Sequence, residues 1–407
     1  MADARTGRPR TTDATHKVTT LELFFDLVFV FALTQVTALL AGSPDAEGAL
    51  RGVLVLGILW WSWTGFAWLG NVVRADEGGV RIALVAVMGA MLVASMAIPE
   101  AFSDSGDATL SGPLVFAAAY FAVRALHVLL FALVSRDDPA LRATVVRFTV
   151  PFAVGTGTLV AASFTSGALQ TTLWALALGL DYLLVYLIGP GGWRVDSPGH
   201  FTERHGLVII IALGESIVAI GVGAGGLPLT WPIVIGANLA LVVLVSLWWM
   251  YFDVVALVAE RRLAAAEGVE RVALARDSYT YLHFPMVVGI VFLALGLKKA
   301  LGYVGEDAGK GLEVLTGGKG LHGMPLWSLY GGVALYLLAH VAFRLRNIGS
   351  LNRQRLALAA LLLALVPVVG GLSATLQVAV LALGVLVVVG YETLWFREWR
   401  EAVRHEG

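Results

Sequence analysis

Runs of about 20 mostly apolar residues are long enough to cross a bilayer as helices, and this chain contains twelve of them. They lie at about 20–41, 50–71, 80–100, 111–135, 143–164, 168–189, 205–224, 230–258, 281–302, 325–346, 354–370 and 373–396. Charged residues, Gly/Pro clusters and short polar loops separate them. The closest pair is the last, divided only by Gly370-Gly371-Leu372-Ser373. There Pro367 and the two glycines predict a sharp turn rather than one long helix. Composition agrees. Of the 407 residues 58% are hydrophobic and 14% charged, whereas a soluble domain carries about a quarter charged residues. A water-soluble globule and a disordered chain are both excluded. The expected fold is all-α and polytopic, with about 12 transmembrane helices.

The loop charges test this count independently, because cytoplasmic loops are rich in Lys and Arg. With the N-terminus inside, alternate segments hold Arg5, Arg8, Arg10 and Lys17, then Arg74 and Arg81, Arg136 and Arg142, Arg194 and Arg204. They continue with Arg261, Arg262, Arg271 and Arg276, then Arg344, Arg346, Arg353 and Arg355, then Arg397, Arg400 and Arg404. The opposite loops hold Arg51 and then nothing basic until Lys298, Lys299, Lys310 and Lys319. The lysine-containing segment 303–324 is the one departure from the pattern. Both termini are therefore expected in the cytoplasm, with no signal peptide in the polar first 19 residues. The expected organisation is a tail at 1–19, a six-helix half at 20–190, a cytoplasmic linker at 191–204, a second half at 205–396 and a tail at 397–407.

The two halves share short segments in the same order. Leu59-Trp60-Trp61-Ser62-Trp63 matches Leu247-Trp248-Trp249-Met250-Tyr251, and Ala125-Leu126-His127-Val128 matches Leu338-Ala339-His340-Val341. Pro151 with Gly155 matches Pro367 with Gly370, and Leu176-Ala177-Leu178-Gly179 matches Leu381-Ala382-Leu383-Gly384. The partners always differ by six helices. Six is even, so the expectation is a 6+6 parallel repeat about an axis along the membrane normal, as in many secondary transporters.

Three segments are distinctive: Leu21-Glu22-Leu23-Phe24-Phe25-Asp26-Leu27-Val28-Phe29-Val30, then Glu203-Arg204-His205-Gly206 running into Leu213-Gly214-Glu215-Ser216, then Trp248-Trp249-Met250-Tyr251-Phe252-Asp253. Together they make the chain resemble the bacterial low temperature requirement A (LtrA) family from about residue 18 to about 395. The resemblance implies a polytopic inner-membrane protein of a family named for growth in the cold. It implies no established substrate or reaction.

Ionisable side chains inside a span are costly, and those that persist need partners or water. Glu22, Arg147, His283 and Glu392 lie close enough to a cytoplasmic end to reach headgroups. Asp26 follows Glu22 by four residues, so the two carboxylates share a helix face. Arg124, His127 and Glu215 lie near mid-span, Asp181 and Asp253 lie in cytoplasmic halves, and His340 lies in the tenth span. Two readings stand side by side. One is a structural network in which Arg124 pairs with Asp26, Asp181 or Glu215. The other is a proton or cation path built on Asp26, Glu215, Asp181, Asp253, Arg124, His127, His340 and Glu22, with acids exceeding the deep arginine. The glycines after Glu215 suit close helix packing or a helix break beside a site. The tryptophans at 60, 61, 63, 68, 248 and 249 suit a belt or packing, or a stacking surface for an organic substrate.

Other chemistry lacks its motifs. There is no GxxxxGK[ST] phosphate loop, HExxH or GxSxG, and the eight histidines never pair at i,i+4. Zero cysteines exclude thiolate chemistry. Lys298 and Lys299 sit at a helix end, which argues against a retinal pigment. No catalytic residues, metal or cofactor are expected. A net charge of -1 gives no bulk attraction to nucleic acid. The expected partners are the lipid bilayer, a small solute and a proton or cation. The chain reads as a proton- or cation-coupled transporter of a small solute. The alternatives are an intramembrane enzyme acting on lipid-linked substrates and a non-transporting membrane factor for growth in the cold.

Overall fold

In a computed structural model of the chain, residues 17–76, 78–103 and 109–405 are described, apart from the side chains of 308–310 and 405. Arg5, Arg8 and Arg10, and with them most of the expected N-terminal tail, lie outside that set. The described residues form helices and no β-strand. The helices are α1 (Thr20–Gly42), α2 (Ala46–Gly70), α3 (Gly78–Ala97), α4 (Gly112–Val134), α5 (Pro139–Ala162), α6 (Gly167–Ile188), α7 (Pro198–Ala224) and α8 (Trp231–Phe252). They continue with α9 (Val255–Ala265), α10 (Gly268–Leu274), α11 (His283–Glu306), α12 (Val314–Gly317), α13 (Gly323–Ile348), α14 (Arg353–Val369), α15 (Ala374–Trp395) and α16 (Arg397–His405).

Among the described residues, eleven helical segments are long and apolar enough to cross a membrane. The eleventh expected span is present as α14, with 17 residues. At about 1.5 Å per residue it is roughly 25 Å long, a little short of a ~30 Å hydrocarbon core. The turn expected at 370–373 is made: α14 stops at Val369, and the Ser373 hydroxyl caps α15 by accepting from the Leu376 amide at 3.3 Å. Other boundaries are set the same way. Asp138 caps α5 through the amides of Ala140 and Leu141 with Pro139 at the first helical position, and Gly349, at φ 73°, ends α13. Broad outer faces are apolar, with Phe24, Leu27, Ile82, Met96, Leu187 and Val368 all more than half exposed. Such faces need lipid rather than water.

Two boundaries differ most from expectation. The seventh span begins at Pro198, not 205, so the expected linker 191–204 is helical over its last turns. Its start is held by a reciprocal clamp: Asn71 Nδ2 donates to the Ser197 carbonyl at 2.5 Å, and the Ser197 amide donates to Asn71 Oδ1 at 3.2 Å. The α8 helix stops at Phe252 rather than 258, and α9 resumes at Val255; Asp253 between them ion-pairs with Arg400 and Arg404. The lysine-containing segment 303–324 is folded, not extended. Lys319 pairs with Glu306 at 3.3 Å, and the Lys319 carbonyl accepts from the Ala374 amide at 2.9 Å.

The chain clusters into two compact units. Of the described residues, the first comprises those within 1–39, 50–204 and 266–276, and the second those within 40–49, 205–265 and 277–407. In the first, α3, α4, α5 and α6 pack in sequence order around Phe116, Phe131 and Trp174. In the second, α11 and α13 pack most intimately, because glycines let their backbones meet. A Cβ on Gly289 would lie 2.5 Å from the Gly332 carbonyl oxygen, and one on Gly332 would lie 2.6 Å from that of Gly289.

Candidate functional site

The first unit contains a buried cluster of opposite charges. Glu22 and Asp26 are one turn apart on α1, and His200 and Arg204 are one turn apart on α7. The two i,i+4 pairs face each other. Arg204 Nη1 donates to Glu22 Oε1 at 2.9 Å, and Nη2 donates to Asp26 Oδ1 at 2.7 Å. His200 Nε2 lies 3.0 Å from Glu22 Oε1. The other oxygen of Glu22 accepts from the Thr19 amide at 2.9 Å and the Thr19 hydroxyl at 3.0 Å. Trp63 Nε1 donates to Asp26 Oδ1 at 2.9 Å, and the Trp63 ring stands 5.5 Å from the guanidinium. All five residues, Glu22, Asp26, Trp63, His200 and Arg204, are at most 2% exposed.

This arrangement is tight. Gly70 ends α2 beside Glu22, and a Cβ there would lie 2.5 Å from Glu22 Oε1. A cavity of about 10 Å³ adjoins the cluster, lined by Glu22, Gly70 and Arg204 among apolar residues. That is room for about one water molecule and for no organic solute. Asp26 Oδ2 is buried and accepts no hydrogen bond among the described residues. Chemically, two carboxylates share one permanent cation, and a histidine completes the set. With the imidazole neutral and both acids ionised, the four side chains carry one surplus negative charge. One added proton removes it.

The Leu21–Val30 segment supplies both acids, and the Glu203–Gly206 segment supplies the arginine. The profile of the bacterial low temperature requirement A protein family (LtrA) matches residues 17–390. The chain belongs to the LtrA family. It is also 33% identical over 309 residues to an uncharacterized protein of Rhizobium meliloti (strain 1021), covering 71% of this chain and 70% of that one. No solved structure matches it. As an LtrA-family chain with many apolar helices, it is a multi-pass membrane protein.

The other candidate residues of this LtrA protein fall into separate groups. Within the first unit, Arg124 Nη2 donates to Asp181 Oδ2 at 3.3 Å, both side chains being buried. Of the three acids considered for Arg124, Asp181 is the one it meets, and Asp26 goes to Arg204. His127 Nε2 lies 3.0 Å from the Gly65 carbonyl, and a Cβ on Gly65 would touch its ring at 3.0 Å. Within the second unit, Glu215 is buried along α7, and the neighbouring Ser216 hydroxyl points to the Ile290 carbonyl at 3.4 Å. Asp253 is held by two arginines at the end of α8. His340 Nδ1 stands 2.9 Å from Arg355 Nη1, and Arg355 clamps Glu392 at 2.7 Å.

Arg124 is therefore not the only deep arginine. Arg204 and Arg355 are buried too. In sequence each stands at the polar edge of an apolar run, where it is indistinguishable from a loop charge. The one available signal was spacing: His200 and Arg204 repeat the four-residue step of Glu22 and Asp26 with opposite sign. Of the four groups expected to reach headgroups, Glu22, His283 and Glu392 are instead buried, and only Arg147 is exposed. Glu22 and Glu392 have arginine partners, and His283 lies 2.7 Å from the Tyr251 hydroxyl. Trp60, Trp61 and Trp63 are buried in the bundle, with Trp61 stacked on Tyr182 at 4.1 Å, whereas Trp248 is 42% exposed.

Proposed function

We propose that this protein is a proton-coupled secondary transporter of a small solute, with the Glu22–Asp26–Arg204–His200 cluster as its proton-binding element. The observation that carries the reading is the Asp26 carboxylate. One oxygen is held by Arg204 and Trp63, while the other is buried without a hydrogen-bond donor among the described residues. A surplus buried charge is costly, and one bound proton would neutralise it. Losing and regaining that proton changes the pull on α1 and α7, which is the kind of charge change that biases alternating access. A monovalent cation would balance the same charge, and a sodium-dependent result would assign the coupling to it. Glu215, Asp181, Asp253, Arg124, His127 and His340 are further candidates for the path.

The loop charges support cytoplasmic termini, and the bacterial family supports an inner-membrane location. The segments matched between 20–190 and 205–396 support a 6+6 parallel duplication of the transporter kind.

The test is uptake into proteoliposomes from a defined mixture of amino acids, sugars, organic acids and nucleosides, analysed by mass spectrometry. At least one solute should accumulate when a proton gradient is imposed, collapse with a protonophore and fail to accumulate with Asp26→Asn. Folded protein that accumulates nothing under any proton or sodium gradient removes the proposal.

A further inference from the structure

A second polar site, unrelated to the proton cluster, lies in the second unit where α8 and α15 end and α14 begins. A cavity of about 400 Å³ opens there. Its wall carries Arg344, Arg353, Arg355 and Arg400 against two acids, Asp253 and Glu392. Both acids are already committed. Glu392 accepts from Arg355 at 2.7 and 3.0 Å and from Asn352 at 2.7 Å. Asp253 is held by Arg400 and by Arg404. Arg344 donates to the Ser350 hydroxyl at 3.1 Å, and neither it nor Arg353 forms an ion pair among the described residues. Four arginines against two acids among the lining residues leave a formal surplus of two positive charges around the cavity.

Two more features favour an anion. Arg353 is the first residue of α14, so the positive end of that helix dipole points to the same place. The remaining wall is mostly apolar and aromatic, with Trp249, Ile348, Phe396 and Trp399 beside the amides Asn352 and Gln354. Beside it Tyr391, Trp395 and Trp399 are exposed, as aromatic side chains are at a bilayer interface. Helix α16 carries Arg397, Arg400 and Arg404 along this end, as interfacial helices do. Guanidinium forks match phosphate oxygens, and basic pockets between spanning helices at a membrane face suit lipid headgroups. A bare inorganic ion would occupy only a small part of the volume.

We propose that this cavity binds a phosphate group carried on an apolar body, either the headgroup of an anionic phospholipid or a phosphate ester in solution. The test uses delipidated full-length protein in neutral detergent, with melting followed by tryptophan fluorescence and bound lipid by native mass spectrometry. Phosphatidylglycerol should raise the melting temperature and remain bound, while phosphatidylcholine should do neither. The Arg344→Gln/Arg353→Gln double variant breaks no ion pair. It should melt like the parent without lipid and need at least about tenfold more phosphatidylglycerol for the same shift. Hexyl phosphate separates the sources. If it stabilises as well as the lipid does, the ligand is a soluble ester; if only phosphatidylglycerol acts, it is a lipid. Should the double variant unfold, Arg344→Lys/Arg353→Lys keeps the charge and must keep the preference for phosphatidylglycerol over phosphatidylcholine. Equal effects of the two lipids on the parent, together with no effect of hexyl phosphate, overturn the proposal. So does an unchanged phosphatidylglycerol requirement in the folded glutamine variant.

Discussion

Arg204 Nη2 donates to Asp26 Oδ1 at 2.7 Å, across 178 residues of chain, and so ties the first helix to the seventh inside the first unit. The same guanidinium holds Glu22 at 2.9 Å, so a single cation serves two acids. Removing it leaves both carboxylates buried. Arg204→Met should therefore destabilise the protein strongly, by about 3–5 kcal/mol. Melting in detergent would show this as a large fall in midpoint. Adding Glu22→Gln and Asp26→Asn to the same chain should restore most of the loss. If the triple variant is no better than Arg204→Met, the damage is not one of charge.

Asp26→Asn separates function from folding. The amide oxygen can still accept from Trp63 and Arg204, and the shape is unchanged, but the site can no longer exchange a proton. Expression and melting should stay close to the parent while gradient-driven uptake is abolished. Glu215→Gln is expected to show the same pattern. A variant that accumulates solute at the parental rate per folded molecule would take its residue out of the mechanism.

Arg124 and Asp181 should behave as a coupled pair. Arg124→Met and Asp181→Asn should each lower stability by leaving a buried partner uncompensated. Together they should cost less than the sum, with a coupling of roughly 1–3 kcal/mol. Additive losses in a double-mutant cycle would mean that the 3.3 Å contact contributes nothing.

The α11–α13 crossing depends on the absence of side chains. Gly332→Val must push its new atoms into the Gly289 carbonyl. It should cost about 1–3 kcal/mol of overpacking, whereas Gly331→Val, with nothing near its Cβ position, should be mild. Equal melting of the two would contradict the close approach.

Topology can be read directly because the chain has no cysteine. Lys319→Cys and Ala265→Cys place single exposed thiols between spans on opposite expected sides. A membrane-impermeant maleimide should label Lys319→Cys in intact cells and Ala265→Cys only after lysis. Labelling of both from outside would undo the orientation read from loop charges.

The helical class and the number of apolar runs were legible because each span must satisfy the same requirement locally, about 20 apolar residues, whatever its neighbours do. The turn at 370–373 was legible for a similar reason, since Pro367 and two glycines act on their own stretch of chain. The four-residue step from Glu22 to Asp26 also placed two acids on one face before any partner was known. Arg204, His200 and Arg355 were not legible as parts of buried clusters. A charge at the edge of an apolar run looks the same whether it faces a headgroup or a carboxylate on a distant helix. The start of α7 at Pro198 was hidden for that reason: Arg204 belongs inside a span only because Glu22 and Asp26 are there to meet it. Sequence alone thus determined which segments are long apolar helices, because apolar length and turn residues are local properties. Which charges are buried, and which acid each arginine serves, was decided only by tertiary structure, because the free energy of a buried charge depends on a partner that may stand 178 residues away.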